Sequence, residues 1–87
     1  MTRDEVRAAV VAAIVATVPE ARPEQILPGV PLRDQLDMDS MDFINFVVEL
    51  DERLGVAVPE GDYARLTSVD ACVDYLNDAL ARDRSAG

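Results

Sequence analysis

Three stretches of the chain repeat apolar residues at helical spacing, and each predicts a helix with one buried face. In the first, Val6, Ala9, Val10, Ala13 and Ile14 recur behind Thr2 and Glu5, the two reciprocal members of a capping box, and Pro19 ends the run. In the second, from about Ser40 to Leu54, Phe43, Phe46, Val47, Leu50 and Leu54 fall on one side, and Gly55 supplies a left-handed stop. The third starts at Thr67 or Ser68, places Asp70 at its positive end, and aligns Val69, Cys72, Val73, Leu76 and Leu80. Between the first two helices lies a connection from Pro19 to about Asp37 that holds Pro19, Pro23, Pro28, Pro31 and Gly29. It also carries Ile26, Leu27, Val30, Leu32 and Leu36, too many apolar residues for a solvated linker, so it is expected to pack over the core. Residues 56–59 read as extended, and one helical turn fits Asp62 to Leu66. The pattern predicts an all-α fold: a small four-helix bundle of three main helices and one short one, with a long loop between helices one and two. It forms a single domain over 1–87, with a tail from about 81 to 87 expected to fray.

Composition narrows what such a bundle can do. Of 87 residues, 17 are acidic and 8 basic, for a formal net charge of −9, and there is no histidine, no tryptophan and one cysteine. That balance argues against nucleic acid and against anionic membrane surfaces, both of which require clustered cations. The lack of histidine removes the usual base of a nucleophile pair, and one cysteine makes neither an internal disulfide nor a zinc cluster. Cys72 falls in the apolar stripe of the last helix and reads as a buried small hydrophobe, while Tyr63 and Tyr75 read as packing residues. The apolar stretch from Val6 to Val18 is interrupted by Arg7, so neither a secretory signal nor a membrane span is expected, and the reducing cytoplasm is the expected compartment.

The stretch Leu36-Asp37-Met38-Asp39-Ser40-Met41-Asp42-Phe43 concentrates the candidate chemistry. As a calcium loop it fails: Met41 stands where a third oxygen ligand belongs, Asp42 replaces the turn glycine, and Val48 replaces the bidentate glutamate. No metal site is expected. As a nucleophile Ser40 has no base within this chain, because every basic side chain is an arginine and arginine stays protonated. If its hydroxyl reacts, another protein must supply the base. A phosphoester there would meet the positive end of the helix, while Asp37, Asp39 and Asp42 would oppose tight docking and leave the group tethered and mobile.

The second helix carries more apolar surface than one core-facing stripe requires. Met41, Ile44 and Val48 form a separate strip, with Asp42, Asp51 and Glu52 as its charged rim. Either the bundle wraps this helix on both sides, or the strip is an exposed docking surface for partners with an apolar groove ringed by cations.

Asp39-Ser40-Met41, set after Leu36 and opening a helix, resembles the attachment motif of the acyl carrier protein family. Residues 56–59, Thr67-Ser68-Val69 and Asp74-Tyr75-Leu76 resemble that family's later segments, so the resemblance covers nearly the whole chain. It implies a carrier rather than an enzyme. Ser40 would bear a covalent 4'-phosphopantetheine arm taken from coenzyme A by a phosphopantetheinyl transferase, with Asp39 as the motif's acidic neighbour. Met41, Ile44 and Val48 would then be apolar contacts, and Asp42, Asp51 and Glu52 electrostatic ones, for acyl ligases, synthases and transferases with basic docking surfaces. Two positions depart from the family pattern: Asp37 stands where glycine is common and Asn45 where an acid is common. They point to a specialised carrier in fatty acid, lipid or polyketide-type biosynthesis; Met1 and the single-domain length suggest a stand-alone carrier, and the high charge a monomer. An aminoacyl or peptidyl carrier, or an unmodified acidic adaptor, remains the alternative.

Overall fold

A computed structural model describes residues 1–86, with side chains through Arg82. Helix α1 spans Arg3–Thr17, α2 is the single turn Leu32–Gln35, α3 spans Ser40–Leu54 and α4 spans Val69–Ala86. Two 3-10 helices, Pro23–Gln25 and Glu60–Arg65, lie in the connections, and no strand occurs among the described residues. Both α3 and α4 pack against α1. The core is where their apolar stripes meet: Val6, Val10 and Ile14 from α1, Phe46 and Leu50 from α3, and Val69, Val73 and Leu76 from α4 are fully or almost fully buried.

The helix ends follow from local chemistry. The Thr2 hydroxyl accepts from the Glu5 N–H at 3.1 Å and the Glu5 carboxylate accepts from the Thr2 N–H at 2.9 Å, the expected capping box. The Thr2 backbone N–H, and after it the Thr2 hydroxyl, hold the exposed Glu5 carboxyl below its ordinary pKa. Helix α3 ends at Gly55, whose φ of 69° lies in the left-handed region and whose N–H donates to the Asp51 carbonyl at 2.7 Å. At the start of α4 the Ser68 hydroxyl accepts from the Ala71 N–H at 3.1 Å, so Ser68 is the cap and the helix begins one residue later. Arg3–Asp74 at 2.8 Å and Arg7–Asp70 at 3.3 Å tie α1 to α4, but all four side chains are substantially exposed, so each pair contributes under about 1 kcal/mol.

The long connection is more ordered than a packed loop. It contains the 3-10 turn Pro23–Gln25 and the whole of α2, neither of which has enough residues to show a period in sequence. Backbone bonds fasten it to the start of α4: the Leu32 N–H donates to the Thr67 carbonyl at 2.7 Å and the Asp70 N–H to the Pro28 carbonyl at 3.0 Å. The Gln35 amide closes the loop on itself, donating to the Leu27 and Val30 carbonyls at 2.8 and 3.0 Å and accepting from the Leu27 N–H at 2.8 Å. Leu32 is buried and Ile26 and Leu36 pack partly against the core, whereas Leu27 is 56% exposed and does not cover it. The turn expected near Asp62 to Leu66 is the 3-10 helix Glu60–Arg65. By its backbone α4 continues to Ala86; Gly87 and the side chains of 83–86 lie outside the described residues, and with them most of the tail for which fraying was expected.

Cys72 is fully buried, and desolvation pushes its thiol from an ordinary 9.0 up to about 12. The native protein should therefore resist a thiol-specific disulfide reagent at neutral pH and react fully once unfolded, which a colorimetric assay with and without denaturant reads directly. Because the folded thiol titrates higher than the unfolded one, its contribution to stability is complete below about 9 and declines as pH rises towards about 12. Cys72→Ala should flatten that alkaline decline in denaturant melts.

Candidate functional site

Ser40 occupies the first position of α3 and is exposed. What places it there is a second capping box. The Asp39 carboxylate accepts from the Asp42 N–H at 2.8 Å, and the Asp42 carboxylate accepts from the Asp39 N–H at 3.2 Å. Sequence reasoning assigned Asp39 as a motif neighbour and Asp42 as a partner contact, and missed this role. The Asp-x-x-Asp spacing is its only signal, a variant of the commoner Ser/Thr-x-x-Glu box. Among the described residues the Ser40 hydroxyl enters no hydrogen bond, which leaves it available to react.

With Asp39 and Asp42 bonded to each other, the Ser40 and Met41 N–H groups remain the open donors of the first turn. Two carboxylates already occupy the positive end of the helix, and Asp37 is exposed nearby in the chain. An anion brought to Ser40 would therefore meet partial charges that are largely balanced. Among the described residues no three acids or cysteines gather as a metal site.

Outward along α3, Met41, Ile44 and Val48 are 64%, 45% and 49% exposed, so the bundle leaves this strip uncovered. Asp51 and Glu52 are exposed beyond it. Asp42 is only half-exposed and is already used by the cap, and Glu49 is engaged by Arg53 at 3.1 Å. Among the described residues, the acids around the strip that enter neither an ion pair nor the cap are thus Asp37, Asp51 and Glu52, on an apolar strip whose first member directly follows Ser40. Asn45 is exposed on the same helix.

Beside Ser40, and sharing Ile44 with the strip, opens a groove of about 540 Å³ between α2, the start of α3 and the 3-10 helix Glu60–Arg65. Leu32, Met38 and Leu66, all buried, belong to its lining, and Phe43, Ile44 and Tyr63 border it. Arg33 and Glu60 supply its charges. Phe43, grouped by sequence with the core residues of α3, is only half-buried, because it faces this groove as well as the core. The groove had no sequence signal, since it depends on how three separate segments meet. Tyr63 is a packing residue that also forms part of the groove wall, and Tyr75 donates from its hydroxyl to Asp62 at 2.6 Å, which raises its pKa.

The family model described as the phosphopantetheine attachment site matches residues 9–76. The acyl carrier protein of Thermosynechococcus vestitus is 31% identical over 71 residues, covering 82% of this chain and 88% of that protein. The meromycolate extension acyl carrier protein of Mycobacterium leprae is 32% identical over 76 residues, covering 87% of this chain and 65% of that one. A solved structure of the acyl carrier protein from Enterococcus faecalis superposes with a TM-score of 0.74 at 29% identity, over 91% of this chain and 99% of that one.

The cap makes a prediction that is independent of these likenesses. Asp39→Ala removes an acceptor from the first turn of α3 and should cost about 1 kcal/mol in urea unfolding, whereas Asp39→Asn or Asp39→Ser should lose a few tenths. An alanine variant as stable as the parent would show that the box does not hold the helix start.

Proposed function

We propose, since this chain belongs to the acyl carrier protein family, that Ser40 is where it carries its phosphopantetheine arm. The carrier is not a catalyst, and the family's work is to hold acyl groups for enzymes of fatty acid or lipid synthesis. The observation that carries the assignment of Ser40 is its geometry. It is an exposed hydroxyl without a hydrogen bond, inside the matched segment, at the start of a capped helix and beside an apolar groove. The site suits a phosphodiester-linked group: nothing occludes the oxygen, and the neighbouring carboxylates disfavour clamping an anion. The arm's terminal thiol supplies thioester chemistry. This chain's own contribution is to present Ser40, steer partners and offer the groove to the cargo.

Because the chain has no base for Ser40, a phosphopantetheinyl transferase must take the hydroxyl's proton and deliver the group from coenzyme A. The strip of Met41, Ile44 and Val48 is the surface on which this transferase and the acyl-handling enzymes dock. The unpaired Asp37, Asp51 and Glu52 steer cationic partner surfaces towards it. A small apolar strip with a charged rim favours quick release, which a shuttle between enzymes requires. No described helix is long and apolar enough to cross a membrane. The cytoplasm, a monomeric state and a dedicated pathway complete the reading; the departures at Asp37 and Asn45, both exposed, support specialisation.

Incubated with coenzyme A and a promiscuous transferase, the protein should gain the mass of one phosphopantetheinyl group, and Ser40→Ala should gain none. A parent chain left unmodified under conditions that modify a control carrier sinks the assignment. Docking has its own test in the rate of that modification. Ile44→Asp should lower kcat/KM by about tenfold, the equivalent of one lost apolar anchor of about 1.4 kcal/mol. The double variant Asp51→Arg, Glu52→Arg should slow it by about tenfold at low salt and by much less at high salt, since screening removes steering. Rates indifferent to both changes would move the docking surface elsewhere.

A further inference from the structure

The outward face of α3 carries two rows of side chains spaced four residues apart, and the rows differ in charge. Turning about 100° per residue from Met41, the row Met41, Asn45, Glu49 and Arg53 climbs one edge at about 0°, 40°, 80° and 120°. The row Ile44, Val48 and Glu52 runs beside it at about −60°, −20° and 20°, with Asp51 on the opposite edge at about −80°. The buried Phe46 and Leu50 fall at about 140° and 180°, which puts the core behind this face. In the first row Asn45 is uncharged, and the Arg53 Nε donates to the Glu49 carboxylate at 3.1 Å, so its one acid and one cation cancel. Asp51 and Glu52 are exposed and enter no ion pair among the described residues, so two negative charges stand unopposed. As a partly exposed contact the Glu49–Arg53 pair adds little to stability; its larger effect is on the potential this face presents.

We propose that the Glu49–Arg53 pair is a specificity determinant: it leaves the docking face acidic along one edge only, and so selects among partner enzymes. The proposal rests on the reading of Met41, Ile44 and Val48 as the docking strip. The matching partner has an apolar groove with cations on the edge that meets Asp51 and Glu52. Its other edge, where it meets Asn45 and Arg53, is uncharged or acidic. Such a partner gains attraction on one side and meets no like charge on the other. An enzyme with cations on both edges brings some of them against the Arg53 guanidinium, where like charges repel and the Glu49 carboxylate is already engaged. Asn45 acts in the same direction, because it is exposed on that edge and offers such an enzyme no counter-charge. Discrimination then comes from a repulsive contact as well as an attractive one, with the apolar strip unchanged.

The test measures kcat/KM for modification of the full chain by a phosphopantetheinyl transferase whose docking groove carries cations on both edges, at low and at high salt. Arg53→Ala, which frees the Glu49 carboxylate, should raise kcat/KM about threefold at low salt, and Arg53→Ala combined with Asn45→Glu about tenfold. Both gains should largely vanish at high salt. Arg53→Lys, which keeps a cation four residues after Glu49, should stay at the parental rate. Arg82→Ala removes the same charge from α4, where Arg82 pairs with Asp78 at 3.2 Å, and should also leave the rate unchanged. A merely structural role for Arg53 at the end of α3 predicts a lower Tm for Arg53→Ala and no gain in rate. Unchanged or slower modification of Arg53→Ala, an equal gain from Arg82→Ala, or a gain that persists in Arg53→Lys overturns the selection by this pair. If Ile44→Asp still slows the reaction in that event, the docking strip stands and only the selector is lost. If Ile44→Asp has no effect either, the strip reading fails and the proposal with it.

Discussion

The reciprocal hydrogen bonds of Asp39 and Asp42 set where α3 begins, and the function of this chain depends on that starting point. A helix turns about 100° per residue, so its first residue decides which way every later side chain faces. Starting at Ser40 sends Phe46 and Leu50 into the core against α1, leaves Met41, Ile44 and Val48 outside, and turns Phe43 towards the groove. A shift of one residue would rotate all of these at once. It would bring apolar residues to the surface and carry Ser40 away from the boundary between groove and strip. The core burial on one side and the cap at the end are thus two views of a single register. The same two acids that hold the register also occupy the helix's positive end, so on the proposed reading an anion attached at Ser40 would be tethered without being gripped.

Charge acts on a longer scale. A net charge of −9 spread over a small bundle repels other carriers and draws cationic enzyme surfaces, while individual ion pairs such as Arg3–Asp74 contribute little to holding the fold. The absence of lysine and histidine leaves Ser40 inert towards itself. On the proposed reading, reactivity is therefore lent by each docked partner in turn. That division of labour makes a carrier safe to leave in a mixture of enzymes.

Much of this was legible in the sequence because it is written in local periods and end signals. The span of α3 from Ser40 to Leu54, its stop at Gly55, the Thr2–Glu5 box and the burial of Cys72 each follow from residues within one or two turns of one another. The uncovered strip was half-legible: periodicity separated it from the core face, but only the packed bundle shows that it stays exposed among the described residues. Features built from distant segments escaped. Helix α2 is too short to display a period, and its order depends on the Gln35 amide and on bonds from the loop to the start of α4. The groove exists because α2, α3 and the Glu60–Arg65 helix meet, and the partnership of Phe43 with Tyr63 crosses 20 positions, which no local pattern encodes.

The central claim is that one helix both presents the modified hydroxyl and receives the enzyme that modifies it. Backbone amide chemical shifts of the isotope-labelled protein, followed as a phosphopantetheinyl transferase is added, test it most directly. The account predicts that the largest changes trace Ser40, Met41, Ile44 and Val48 and extend to Asp51 and Glu52, with the outer surfaces of α1 and α4 unmoved. Changes centred on α1 or α4, with α3 silent, would contradict it.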